Sequence, residues 1–129
     1  MPNSDAGVIS WIDLTVGNAD QLKAFYQRVA GWTPEPVDMG GYSDFNMLRA
    51  GTKEPVAGIC HARGCNVGLP AQWIIYINVA NLDASLGLCK GCGGEVLTPV
   101  KGSSHGRYAV IRDPAGAVCA LYEPPPANG

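Results

Sequence analysis

The chain has 129 residues, 47% hydrophobic and 16% charged, which suits one compact domain with a core and excludes a disordered chain. Its net charge is -2 and its nine Lys and Arg are scattered, so no basic stripe marks a nucleic-acid partner. No apolar run nears the roughly 18 residues that cross a bilayer, so no membrane partner is expected.

The N-terminal MPNSDAG has neither a positive stretch nor an apolar one, so it is not read as a secretory signal, and a cytoplasmic location is expected. From Val8 to Val16 the residues alternate. Ile12, Leu14 and Val16 point one way, and Trp11, Asp13 and Thr15 the other, which is the period of a strand. Asn18 or Asp20 can then cap a helix. Leu22, Phe25, Tyr26 and Val29 fall at i, i+3, i+4 and i+7 and predict its buried face, and Gly31 ends it. Three strands follow: Thr33 to Met39 (an edge strand, given Pro34 and Pro36), Tyr42 to Ala50, and Pro55 to His61.

Residues 62–71 read as a linker, and then the order recurs. Trp73 to Val79 is a strand. Asn81 and Asp83 open a helix whose core face carries Leu82, Leu86, Cys89 and Cys92. Glu95 to Val100, His105 to Arg112 and Ala117 to Glu123 are three more strands, the last two joined by the turn Asp113-Pro114-Ala115-Gly116. A shift of 63 residues superposes the halves: Val16 on Val79, Asp20 on Asp83, Phe25 on Leu88, Val29 on Cys92 and Gly31 on Gly94. The expected fold is therefore α+β, one domain over residues 1–129. Its two βαβββ modules span about 8–61 and 72–123.

The segments WIDLTV, ADQLKAFYQRVAGW, WIIYINVANLDASL, GGEVLTPV and GRYAVIRDPAGAVCALYEP resemble the vicinal oxygen chelate superfamily of glyoxalases, bleomycin-resistance proteins and extradiol dioxygenases. The likeness covers nearly the whole chain. It implies curled mixed sheets around a shared cavity, and frequently a homodimer. It also implies a metal ligand on the first and last strand of each module. Those positions fall on Trp11, Gly58, Ile74 and Ala120, none of which can bind such a cation. No metal and no cofactor are expected.

Alternation sets Trp11, Asp13, Thr15, Val56, Gly58, Cys60, Ile74, Tyr76, Asn78, Val118, Ala120 and Tyr122 toward the cavity. Trp11, Asp13, Cys60, Tyr76, Asn78 and Tyr122 are its ligand-binding candidates, aromatic walls with a few polar groups. Asp13 among aromatic side chains suits a general base with a raised pKa, with Tyr76 or Tyr122 as the acid; the plainer alternative is a structural carboxylate. Five cysteines are an odd number, which favours free thiols over a disulfide framework. Cys89 and Cys92 read as core, and His61, opposite in direction to Cys60, as a surface histidine at a strand end. His105 reads as a loop histidine. Arg107 either meets an anion or is solvated, and Arg112 is solvated. Three functions fit: a metal-independent small-molecule binding protein, a lyase or isomerase using Asp13, or a structural dimer module without ligand.

Overall fold

A computed structural model describes residues 5–103 and 106–126. Among these residues there are nine strands and two α-helices. The chain divides into two compact units, one over Trp11–Trp73 and the other over the residues from Ile74 onward together with the N-terminal segment to Ser10.

In the first unit β1 (Ile9–Val16) leads into α1 (Ala19–Val29), then β2 (Thr33–Asp38), β3 (Ser43–Leu48) and β4 (Pro55–His61). The strand β1 runs parallel to β4, and β4, β3 and β2 follow antiparallel. A parallel neighbour is possible because α1 and two strands intervene, long enough to carry the chain back to the starting edge. Leu14 and Val16 of β1, Ala19 of α1, Phe45 and Met47 of β3 and Ile59 of β4 form the core between sheet and helix. Leu22, Tyr26, Trp32 and Trp73 pack against it, and the Trp73 indole donates to the Tyr26 hydroxyl at 3.2 Å.

The buried face of α1 is narrower than the spacing predicts. Leu22 and Tyr26 pack inward, but Phe25 is 50% exposed and Val29 66%. Phe25 lies roughly 60° around the helix from Leu22, at about 100° per residue, and so sits on the margin of the stripe. Val29 is in the last turn.

The second unit repeats the order with β5 (Trp73–Asn78), α2 (Leu82–Gly91), β6 (Glu95–Val96), β7 (Lys101–Ser103), β8 (Gly106–Arg112) and β9 (Val118–Glu123). Here β5 is parallel to β9, β9 antiparallel to β8, and β6 and β7 both pair with β8. Of the strand expected from Glu95 to Val100 only Glu95–Val96 forms, and β7 begins beyond it at Lys101. Pro99 has no N–H to give, and the hydroxyl of buried Thr98 instead accepts the Val110 N–H at 3.0 Å. The Asn81 side chain caps α2 by accepting the Ala84 N–H at 3.0 Å. Leu82, Leu86, Ala109, Ile111 and Leu121 form the core, with Cys89 and Cys119 against it. Cys92 lies past the end of α2 and is exposed, contrary to its assignment to the core. The first residues of β1 also belong to this unit: Asn78 accepts from the Gly7 N–H at 2.7 Å and donates to the Val8 carbonyl at 2.8 Å.

Candidate functional site

In each unit the strands have one face covered by the helix and one face free of it. Strand pairing says which side chains share the helix-free faces, because directly paired residues point the same way. In the first unit Asp13 pairs with Gly58, Gly58 with Asn46, and Asn46 with Glu35. Thr15 pairs with Cys60 in the next row. Phe45, Met47 and Ile59 go to the helix side, so Asn46 and Glu35 are on the opposite side with Asp13.

The Trp11 indole N–H donates to Asp13 Oδ1 at 2.6 Å. A Cβ placed on Gly58 would collide with that same carboxylate oxygen and would lie 3.4 Å from Trp11 Nε1. The absence of a side chain at Gly58 is therefore what lets the Trp11–Asp13 pair lie over β4. Asn46 flanks Gly58 on the other side, half-buried. The sequence reading took the outer positions of each module and so passed over Asn46. Alternation along β3 from Phe45 and Met47 identifies it.

In the second unit Tyr76 pairs with Ala120, Asn78 with Tyr122, and Tyr122 with Tyr108. All three tyrosines are half-buried, and the rings of Tyr76 and Tyr108 are 5.6 Å apart at 56°. The Tyr122 ring lies over Gly106, whose φ of 114° and bare α-carbon leave room for it. Asn78 is buried and accepts the Ser10 hydroxyl at 2.6 Å. Tyr108 is a second residue passed over by the sequence reading, and the alternation Tyr108, Val110, Arg112 places it.

The metal positions of the superfamily can be tested directly. Ile74 and Ala120 are buried hydrocarbon, Gly58 has no side chain, and Trp11 offers only an indole N–H already given to Asp13. The carboxylate of Asp13 is one donor where a divalent cation needs several. Among the described residues no three His, Cys, Asp or Glu side chains are grouped to hold a metal ion. This donor set does not fit the superfamily's metal.

Other candidates lie elsewhere. His61 is not a surface residue: its side chain is 17% exposed, with Nδ1 3.1 Å from Asp44 Oδ1 and the ring edge-on to Tyr42. Asp44 also accepts the His61 N–H at 2.8 Å, which fixes the end of β4. Arg107 pairs with Glu123 at 3.2 Å and Asp83 at 3.3 Å, so it is committed within the protein, and Arg112 pairs with Glu95 at 2.7 Å. The Leu82 N–H, donating at 2.8 Å, holds the Glu123 carboxyl below the usual carboxylate range, with Arg107 adding to it and partial burial opposing. None of the five cysteines forms a disulfide, and burial pushes the Cys119 thiol up. His105 lies outside the described residues.

Two βαβββ units, each with a helix-covered and a helix-free face, define the paired-module class to which glyoxalases belong. The chain is 31% identical over 124 residues to the provisionally named glyoxylase CFP32 of Mycobacterium bovis, a match covering 95% of this chain and 46% of the relative. It is 30% identical over 128 residues to the anthracycline biosynthesis protein DnrV of Streptomyces peucetius, covering 90% of this chain and 46% of that one. The chain thus spans about half the length of the curated relatives it matches. No family model matches it. Among solved structures, methylmalonyl-CoA epimerase from Mycobacterium tuberculosis aligns with a TM-score of 0.56 at 16% identity, over 98% of this chain and 94% of that one. A methylmalonyl-CoA epimerase in complex with methylmalonyl-CoA and NH4+ aligns at 0.54 and 18%, over 94% and 99%. At such identities the fold is what is shared. These likenesses agree with the sequence resemblance to the vicinal oxygen chelate superfamily, whose fold the chain has.

Proposed function

We propose that this protein is a metal-independent binding protein for a small organic molecule, held on the helix-free faces of its two modules. The observation that carries the reading is the make-up of those faces. They present half-buried aromatic and hydrogen-bonding side chains (Trp11, Asp13, Asn46, Tyr76, Tyr108 and Tyr122), while the superfamily's metal positions carry Trp11, Gly58, Ile74 and Ala120. Aromatic walls with a few placed polar groups are the usual composition of a small-molecule site. Cys60 and Asn78 complete the candidate set. We read the chain as a single domain that works as a homodimer in the cytoplasm, where cysteines outside disulfides are stable.

The test is a thermal-shift screen with a metabolite and antibiotic library, since a ligand specific for the native state must raise stability. Hits that survive chelation support the reading. Stoichiometric metal in the purified protein, with binding lost on its removal, would overturn the metal-independent part.

A second reading is a lyase or isomerase in which Asp13 takes a proton and Tyr76 or Tyr122 gives one. The Trp11–Asp13 hydrogen bond favours it to the extent that it fixes the carboxylate, and the epimerase structures share the fold. The same bond already engages the carboxylate within the protein, so the binding reading stands first. Asp13→Asn separates the two: it leaves ligand affinity within about threefold under the first, losing at most one modest hydrogen bond, and abolishes turnover under the second.

A further inference from the structure

The row of paired residues on the second module's helix-free face does not end at the tyrosines. Asn78 pairs with Tyr122, Tyr122 with Tyr108, and Tyr108 with Lys101 of β7. Antiparallel partners share a face, so the Lys101 side chain leaves the sheet on the same side as the tyrosines. Lys101 is half-buried.

Its electrostatic setting differs from that of the other cations. Arg49 has Glu54 at 3.8 Å, Arg107 has Asp83 and Glu123, and Arg112 has Glu95. Lys23 lies 4.4 Å over the Phe45 ring and Arg63 3.8 Å over the Tyr42 ring. Arg28, Lys53 and Lys90 are exposed to water. Among the described residues Lys101 is half-buried with neither a carboxylate nor a ring recorded against its ammonium group. Partial burial of an uncompensated charge is costly, and an anion arriving beside it recovers part of that cost.

Three tyrosines share this face with Lys101. Tyr76 and Tyr108 are tilted against each other, and Tyr122 lies along the sheet over Gly106. Such surfaces bury a flat, unsaturated molecule with little loss of side-chain freedom, since each tyrosine has few rotamers to give up.

We propose that this face binds a planar aromatic acid, its ring on Tyr76, Tyr108 and Tyr122 and its carboxylate on the ammonium group of Lys101. The proposal rests on the small-molecule reading above and names the ligand class. Neutral aromatic molecules of the same shape bind less tightly, because they cover the tyrosines and leave Lys101 without an anion.

The experiment titrates the full chain with 2-naphthoate and, separately, with the neutral 2-naphthamide, by calorimetry at low ionic strength. Wild type binds the acid about tenfold more tightly than the amide, the worth of one charge-assisted hydrogen bond. Lys101→Met, which keeps the stem and removes the charge, erases that preference with amide affinity unchanged, while Lys101→Arg retains it. Tyr108→Leu weakens both ligands by about fivefold, the scale of one aromatic contact. Equal affinities on wild type, a preference that survives Lys101→Met, or no binding of either compound each overturn the proposal. If the library screen still yields a ligand of another chemical class, the small-molecule reading stands without it.

Discussion

Trp11 and Asp13 are joined by a 2.6 Å hydrogen bond whose acceptor oxygen occupies the space a side chain at Gly58 would need. Gly58→Ala therefore forces the carboxylate aside or bends β4. The expected cost is about 2 kcal/mol, the scale of an overpacked site, read from chemical denaturation. Trp11→Phe, which removes the donor and keeps the ring, costs about 1 kcal/mol, the net value of one hydrogen bond. Equal stability of Gly58→Ala and wild type would show that the carboxylate does not lie over β4.

The two helices make a paired prediction about burial. Leu82 is fully buried at the start of α2, whereas Leu88 is 67% exposed one turn and a half further on. Leu82→Ala should cost about 3 kcal/mol, the mid-range for a buried leucine. Leu88→Ser, and likewise Phe25→Ser on α1, should change stability by no more than about 0.5 kcal/mol. Thermal melts of the three variants, side by side, check the assignment.

Stability should fall with acid partly through Glu123. Its carboxyl accepts the Leu82 N–H at the start of α2 and pairs with Arg107, and its folded pKa is lowered. The stabilisation is complete above the unfolded glutamate pKa of about 4.3 and is lost as pH falls through the lower folded value. Glu123→Gln keeps an acceptor and loses the charge. It should cost about 1 kcal/mol at pH 7, and the gap from wild type should close below the folded value. A gap that stays constant from pH 7 to pH 2 would count against the carboxylate's role.

Thiol reactivity should rank by position. Cys65 and Cys92 are exposed, while Cys119 packs on the second core and its thiol is pushed up by burial, with the nearby Asp113 and Cys89 adding to it. Under native conditions iodoacetamide should label Cys65 and Cys92 first and Cys119 only on unfolding, as mass spectrometry of the digested protein would show. Rapid native labelling of Cys119 would mean that β9 opens locally. Because the neutral thiol is favoured in the fold, this cysteine stabilises below its unfolded pKa and loses that contribution as pH rises through the folded value.

Much of the fold was legible in the residues because period and punctuation agree. The strand from Pro55 to His61 has the bounds its sequence suggests, and the helix after Gly17 begins one residue after Asn18 and ends two before Gly31. What failed was the rank of positions within a stripe. Phe25 and Val29 have the right spacing but sit at the margin and the end of α1, where the sheet no longer covers them. His61 was misjudged because strand direction says nothing about a neighbour such as Asp44, seventeen positions away and brought near by the β3–β4 pairing. Of the candidate site, the bare position at Gly58 was legible by comparison of donor chemistry. The contact that fills it, from Asp13, required the register of β1 against β4.

The backbone of Asn78 is bonded to Gly7 and Val8, from the opposite end of the sequence. The two halves repeat one order of elements, yet the second unit is completed by residues from before the first. A cut between the repeats, after Trp73, would therefore strip the second unit of the backbone partners of Asn78.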